Sequence, residues 1–172
     1  MRERAFLGEF GASLRACGAW WYKMPDPARE EFGTTRRFPE KRPFDGVFFA
    51  PHGLAGAIEA KIIGPGERVV LEPHQHEHLR QVSALGYQGW IVVRAEVSPR
   101  RAEVFVIQIG VYDYYLAATG KKGVPFKQLP VLGKCVERTL AHERRKGMMW
   151  DVRTLLDMGA RHTQQPLVGV GR

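Results

Sequence analysis

Apolar positions recur with a helical period near the start of the chain and again in its middle. From about residue 2 to residue 17 large apolar side chains return every three or four residues, and Gly18 stands where a helix would end. Over Glu72–Leu85 a second helical pattern has Pro73 in its first turn and Gly86 just beyond its end. Both segments are therefore predicted to be helices.

Short runs of β-branched and aromatic residues predict the strands of the same domain. These runs are Trp20–Lys23, Phe44–Phe49, Ala55–Ile63, Trp90–Arg94 and Glu103–Ile109. Later in the chain, short helices are predicted over Tyr112–Ala118, Val131–Arg145 and Met149–Met158. This order of elements predicts a single α/β domain over residues 1–172, in which helices flank a mixed sheet.

The segment from Met24 to Arg42 has no periodic pattern and is rich in proline and basic residues. A structureless stretch of this length inside a small domain is usually either functional or disordered. We expect a basic segment that protrudes from the domain just before the next strand. Its candidate phosphate contacts, which a solvated loop would equally explain, are Arg36, Arg37, Lys41 and Arg42.

The predicted strand Ala55–Ile63 carries two charged residues on one face. Because side chains alternate along a strand, Glu59 and Lys61 point the same way, while Ile58 and Ala60 face the opposite, buried side. Two charged groups on an otherwise apolar strand are costly unless something pairs them. A bound cation would do so, although an ordinary salt bridge on a surface strand would also explain the pair.

A hairpin centred on His52 would bring a second carboxylate to this strand. With that centre, the numbers of cross-strand partners add to the same total, so Asp45 lies opposite Glu59, with Cβ atoms roughly 5 Å apart. Two carboxylates at such a distance would repel each other, or they would jointly hold a hard divalent ion, magnesium or manganese in preference to zinc. The ion would polarise a phosphodiester and activate water, and Lys61 would orient or deprotonate that water or stabilise the phosphate.

Composition is compatible with a partner of opposite charge. The formal net charge is +8 and the pI about 9.8, and such an excess attracts polyanions, of which nucleic acid is the commonest. No apolar run approaches the length of a membrane helix, so we expect no membrane partner. Cys17 and Cys135 provide no disulfide framework, which fits a reducing cytoplasm.

Three histidines on the second predicted helix suggest zinc as an alternative metal. His74 and His78 lie one helical turn apart, a spacing that permits shared ligation. His76 would point away from them, however, and no cysteine lies nearby in the sequence. An all-oxygen site at Asp45 and Glu59 is the preferred interpretation.

Four consecutive motifs lie in order over about residues 43–94, namely Asp45-Gly46-Val47, Glu59-Ala60-Lys61, the helix from His74 to Val82, and the strand from Gly89 to Val93. In these motifs the chain resembles the PD-(D/E)-x-K nuclease superfamily and, within it, the RecU-type Holliday junction resolvases. The order and spacing of the motifs together are far more specific than a Glu-x-Lys triplet alone. The basic segment takes the place of the family's stalk, although it is shorter.

The resemblance implies a restriction-endonuclease-like core and a homodimer that nicks four-way DNA junctions symmetrically with magnesium or manganese. It implies metal ligation by Asp45, Glu59 and Ala60, and a catalytic role for Lys61. Further contributions to the site or to DNA binding would come from Gln75, Glu9 and His74. We expect such an enzyme to work in the cytoplasm of a bacterial cell or a phage-infected host.

Two other functions are compatible with the same residues. One is a different PD-(D/E)-x-K nuclease, of the restriction or flap-processing type. The other is a noncatalytic DNA-binding or architectural protein, for which the two carboxylates and the lysine would be dispensable.

Overall fold

A computed structural model describes residues 2–25, 43–98, 101–139, 144 and 149–157. The predicted basic segment falls largely on residues 26–42, outside the described residues, and with it Arg36, Arg37, Lys41 and Arg42. The helices are α1 (Arg2–Ala16), α2 (Pro73–Ala84), α3 (Ile109–Thr119) and the short α4 (Leu129–Leu132). The strands are β1 (Trp20–Lys23), β2 (Gly46–Phe49), β3 (Ala55–Ile63), β4 (Arg68–Val69), β5 (Gln88–Ser98), β6 (Arg101–Gln108), β7 (Val124–Pro125) and β8 (Lys134–Val136).

Six of the strands form one mixed sheet in the order β1-β2-β3-β5-β6-β8. Strands β3 and β5 run parallel, and α2 lies in the connection between them, whereas the other neighbours pair antiparallel. Strands β4 and β7 form a separate two-stranded sheet. A mixed sheet flanked by helices confirms the predicted fold class. Among the described helices, none is long and apolar enough to cross a bilayer.

The two faces of the sheet carry different helices. Helix α1 packs on one face, where Phe6 and Phe10 join a buried cluster with Phe48 and Ile58. Helices α2 and α3 pack on the other, where a second cluster includes Leu79, Ile91, Val93 and Tyr112. We call these the α1 face and the α2 face. Because alternate residues of β3 belong to the two clusters, Glu59 and Lys61 lie on the α2 face, as predicted.

The β2–β3 hairpin has the predicted register. Gly46 lies opposite Ile58 and Phe49 opposite Ala55, so the partner numbers add to 104 along the ladder. The turn is centred on His52, whose φ of 64° is a left-handed conformation that histidine adopts more readily than most residues. Asp45 comes immediately before the first residue of β2, at the end of the hairpin nearest to Glu59.

The C-terminal half departs from the prediction. The predicted helix over Val131–Arg145 is wrong for residues 133–139, because α4 ends at Leu132 and the chain then forms β8 along the edge of β6. Gly133 makes this close approach possible, since a Cβ there would lie 2.9 Å from the Cβ of Phe105. The predicted helix over Met149–Met158 is confirmed only for residues 153–157, because Trp150 forms an isolated β-bridge with Arg138.

Two boundaries also moved where strand and helix meet. Ile109, predicted as the last residue of a strand, is the first residue of α3, and β5 is longer than the predicted Trp90–Arg94. Both shifts follow from pairing between β5 and β6, which the local pattern does not record.

The indole of Trp21 lies between α1 and the start of β2. A Cβ on Gly11 would fall 2.2 Å from the indole nitrogen, and a Cβ on Gly46 would fall 2.2 Å from the far edge of the ring. Glycine at both positions thus allows α1 and β2 to approach the two sides of one aromatic ring. This packing holds the residue next to Asp45 against the helix.

Adding one methyl group should have opposite effects at two glycines of α1. Gly11→Ala should lower the free energy of unfolding by about 1–3 kcal/mol, because the core must overpack around Trp21. Gly8→Ala should raise it by about 0.5–1 kcal/mol, because Gly8 is exposed with nothing within 4 Å and alanine favours the helix. Urea denaturation of both variants checks this. Equal effects of the two substitutions would contradict the described packing.

Candidate active site

The carboxylate of Glu59 is buried in the middle of the sheet. Its side chain is 2% exposed, and its Oε1 lies 2.9 Å from Lys61 Nζ and 2.5 Å from Gln75 Nε2. Among the described residues, no hydrogen-bond partner contacts the other oxygen, Oε2, which is buried as well. The site thus contains one buried carboxylate oxygen that no hydrogen bond from a described residue satisfies.

Asp45 is held beside Glu59 by hydrogen bonds of both its backbone and its side chain. Its backbone N–H donates to the carbonyl of Ile58 at 3.0 Å, and its own carbonyl accepts from Met24 N–H at 2.8 Å. Its side-chain Oδ2 accepts from Ala60 N–H at 2.8 Å. The carboxylate is 8% exposed and is therefore fixed next to the central strand, as the hairpin geometry predicted.

Gln75 links helix α2 to the two charged residues of β3. Its Oε1 accepts from the backbone N–H of Glu72 at 3.0 Å, within a capping box that starts α2. The same oxygen accepts from Lys61 Nζ at 3.1 Å, while Nε2 donates to Glu59. One amide thus begins the helix and orients both charged side chains, which matches the position expected for Gln75.

The entry to α2 is fixed from α3 as well. The hydroxyl of Tyr112 accepts from Leu71 N–H at 3.3 Å and donates to the carbonyl of Val69 at 3.4 Å. These bonds hold the segment that leads from β4 into α2. The position of Gln75 therefore depends on both the sheet and α3.

The electrostatics of the cluster are dominated by Glu59. Burial, and after it the nearby charge of Asp45, raise its pKa from 4.5 to about 7, against the lowering effect of Lys61. The charge of Glu3, in the first turn of α1, also contributes to the rise in pKa. A cation bound at this carboxylate would offset the cost of its ionisation.

The donor atoms fit a hard divalent cation. Asp45 and Glu59 provide carboxylate oxygens, and Oε2 of Glu59 has no hydrogen-bond partner among the described residues. Ala60 can provide only its backbone carbonyl. Oxygen donors of this kind suit magnesium or manganese. Across the part of the chain that the structure describes, no three His, Cys, Asp or Glu side chains come together as a metal site. The cation would therefore rest on two carboxylates.

Glu9 lies away from this cluster. Its carboxylate is 3.8 Å from Arg94 Nη1, and Arg94 follows Trp90 and Val92 on the α1 face of β5. Glu3 is the residue of α1 whose charge acts on Glu59, and it was missed from the sequence. In the sequence, an indication of this effect was the position of Glu3 in the first turn of α1.

Two of the three histidines of α2 pair with different carboxylates. His74 Nδ1 lies 3.4 Å from a carboxylate oxygen of Glu72, and His76 pairs with Asp113 of α3. The rings of His74 and His78 are 6.5 Å apart, edge to face. In the described residues these side chains form no zinc cluster. His74 lies one residue before Gln75, so it borders the site without contacting its carboxylates in the described contacts.

No protein-family model matches the chain, and no curated protein matches it in sequence. Matches among solved structures include Hjc, a Holliday junction resolvase from the archaeal hyperthermophile Archaeoglobus fulgidus. That match has 16% sequence identity and a TM-score of 0.49, and covers 77% of this chain and 92% of Hjc.

Stability should fall as the pH rises through the range in which Glu59 ionises. Its pKa is about 7 in the folded chain and near 4.5 in the unfolded chain. The protonated form therefore stabilises the fold fully below about pH 4.5, and this contribution is lost by about pH 7, on the order of 3 kcal/mol. Glu59→Gln should remove most of this loss in metal-free urea denaturation at pH 5 to 8.

The control is Glu77→Gln, at an exposed glutamate of α2. It should keep the pH dependence of the wild type. If Glu59→Gln and the wild type lose stability in parallel between pH 5 and 8, the buried carboxylate is not the titrating group.

Proposed function

We propose that this chain is a metal-dependent DNA endonuclease with a restriction-endonuclease-like core, and that it resolves four-way junctions as a RecU-type resolvase. The observation that carries the proposal is the cluster of Asp45, Glu59, Lys61 and Gln75, in which one buried carboxylate oxygen has no partner among the described residues. The net charge of +8 suits a polyanionic substrate.

Each group in the cluster has a defined part in phosphodiester hydrolysis. A magnesium or manganese ion held by Asp45, Glu59 and the carbonyl of Ala60 would polarise the phosphate and lower the pKa of water. Lys61 presents a partly exposed ammonium group, so it can donate a hydrogen bond to a phosphate oxygen as negative charge builds up there. Gln75 keeps Lys61 and Glu59 in their relative positions, which makes it a positioning residue.

Junction specificity is supported by the motif pattern. The Asp-Gly-Val motif leads into β2, Glu-Ala-Lys lies within β3, and the His-Gln helix is α2. The basic segment, at residues outside the described ones, precedes this hairpin as it does in the resolvases that the chain resembles. A two-fold symmetric homodimer would present one such site to each of two strands and so make paired cuts.

The first test is cleavage of a labelled four-way junction beside a matched duplex. We expect symmetric cuts with magnesium or manganese, none with EDTA, and at least about a hundredfold slower cleavage by Asp45→Asn and by Lys61→Met, because ion binding and phosphate stabilisation are lost. Cutting the duplex as fast as the junction would indicate another type of PD-(D/E)-x-K nuclease. Binding of junctions without cutting, by wild type and variants alike, would indicate a noncatalytic DNA-binding protein.

Truncating Gln75 should separate positioning from binding. Gln75→Ala should slow cleavage about 10- to 100-fold, because Lys61 and Glu59 lose the amide that orients them, while the Kd for junction DNA stays unchanged. Gln81→Ala is the matched control, since Gln81 is an exposed glutamine of the same helix that bonds to Glu77. The positioning role is wrong if both variants cleave at the same rate.

A further inference from the structure

Three aromatic side chains form an exposed ladder on the first two strands. Trp20, Tyr22 and Phe49 are 54%, 46% and 56% exposed. The rings of Trp20 and Tyr22 stack with centroids 5.8 Å apart and planes only 5° from parallel. Phe49 lies opposite Trp20 across the strands, with centroids 5.5 Å apart. We call these three residues the aromatic ladder.

The ladder lies on the same face of the sheet as the proposed active site. Trp21 and Phe48, which alternate with the ladder residues, are buried on the α1 face, so the ladder is on the α2 face. Tyr22 lies opposite Val47, two residues along the chain from Asp45. At about 3.3 Å per residue, the ladder therefore begins about 7 Å from Asp45 and extends to about 13 Å.

The helices on this face cover other strands. In the described residues, α2 packs on β3 and β5, and α3 packs on β5 and β6. Those described contacts leave the outer strands β1 and β2 open on the α2 face, where the three rings form a continuous apolar surface. A contiguous exposed surface of large aromatic groups beside a catalytic cluster marks an interaction site.

We propose that the aromatic ladder binds unpaired DNA bases next to the phosphate that is cut. This inference rests on the proposed nuclease function and names the part of the substrate that the same face recognises. Aromatic rings stack on bases of any sequence, and the positive charge of the chain attracts the connecting backbone. Because the ladder begins about 7 Å from Asp45 along the strand, the bound bases lie within a few nucleotides of the scissile phosphate.

Two features favour bases over a second copy of the chain as the occupant. The ladder lies on the same face as the carboxylate cluster and follows it along β1 and β2, so a DNA strand that extends from the cluster along β2 would pass over the ladder. The nearly parallel planes of Trp20 and Tyr22 also form a flat stack, which suits another flat ring better than interdigitating side chains. Bases in intact duplex are already stacked, so the ladder would favour opened or single-stranded DNA.

The experiment measures binding without cleavage. In an Asp45→Asn background without divalent metal, anisotropy of a labelled 12-nucleotide oligothymidylate would be compared with an oligonucleotide of equal length made of abasic units. Trp20→Leu and Tyr22→Leu should weaken oligothymidylate binding about 5- to 100-fold and leave abasic binding unchanged, because only the former has bases to stack. Trp20→Phe should restore most of the affinity.

The matched control is Tyr114→Leu, which removes an aromatic ring that is 75% exposed on α3, outside the ladder. It should leave binding of both oligonucleotides unchanged. Thermal unfolding of each variant verifies that the fold is retained, and a variant with a lowered Tm is replaced by its threonine counterpart, which removes the ring and keeps a residue that favours strands.

Three results would overturn the proposal. Equal losses for both oligonucleotides would mean that the ladder residues affect backbone contacts instead of stacking. Unchanged DNA binding, with a dimer that dissociates in sedimentation velocity, would identify a second copy of the chain as the occupant. Unchanged binding and unchanged mass would mean that the ladder binds neither.

Failure of this inference is distinguishable from failure of the endonuclease proposal. If junctions are not cut but base-dependent binding needs Trp20 and Tyr22, the ladder stands and the nuclease function falls. If wild-type protein cuts junctions and Trp20→Leu binds oligothymidylate normally, the nuclease function stands and the ladder proposal falls.

Discussion

The structure depends on how it accommodates one carboxylate in the middle of a sheet. Glu59 lies on a central strand between apolar neighbours, where an isolated negative charge would be costly. Lys61 from the same strand and Gln75 from α2 contact one of its oxygens. Because the Gln75 amide also caps α2, the first turn of the helix and the charged pair on the sheet hold each other in place. The position of α2 and the orientation of the charged side chains therefore depend on the same contacts.

Much of this arrangement follows from local rules. Alternation along β3 places Glu59 and Lys61 on one face. A hairpin centred on His52 pairs residues that lie equally far before and after it, and this register brings Asp45 to them. Pro73 and Gly86 mark the limits of α2, and helical spacing places Gln75 on the face of Leu79 and Val82, toward the sheet. These features depend on residues close in sequence, and for that reason the pattern was sufficient to predict them.

The features that were missed depend on contacts between distant residues. Residues 134–136 form a strand because β6 offers an unpaired edge, which a helical pattern over Val131–Arg145 does not reveal. Similarly, helical spacing gives Glu9 and Glu3 as acidic residues of α1, but only the packing of α1 on the sheet decides which charge reaches Glu59. The sequence pattern contains no information on which distant strands pair or on how a helix is oriented against the sheet.

The indole of Trp21 has a consequence for how sequences with this fold can vary. The ring of Trp21 fills the space that a side chain at Gly11 or Gly46 would need, so a larger residue at either glycine requires a smaller ring between them. The three positions should therefore change together among related chains, and not one at a time. Since Gly46 adjoins Asp45, a substitution in the first helix that alters the packing around Trp21 would also change the geometry of a proposed metal ligand.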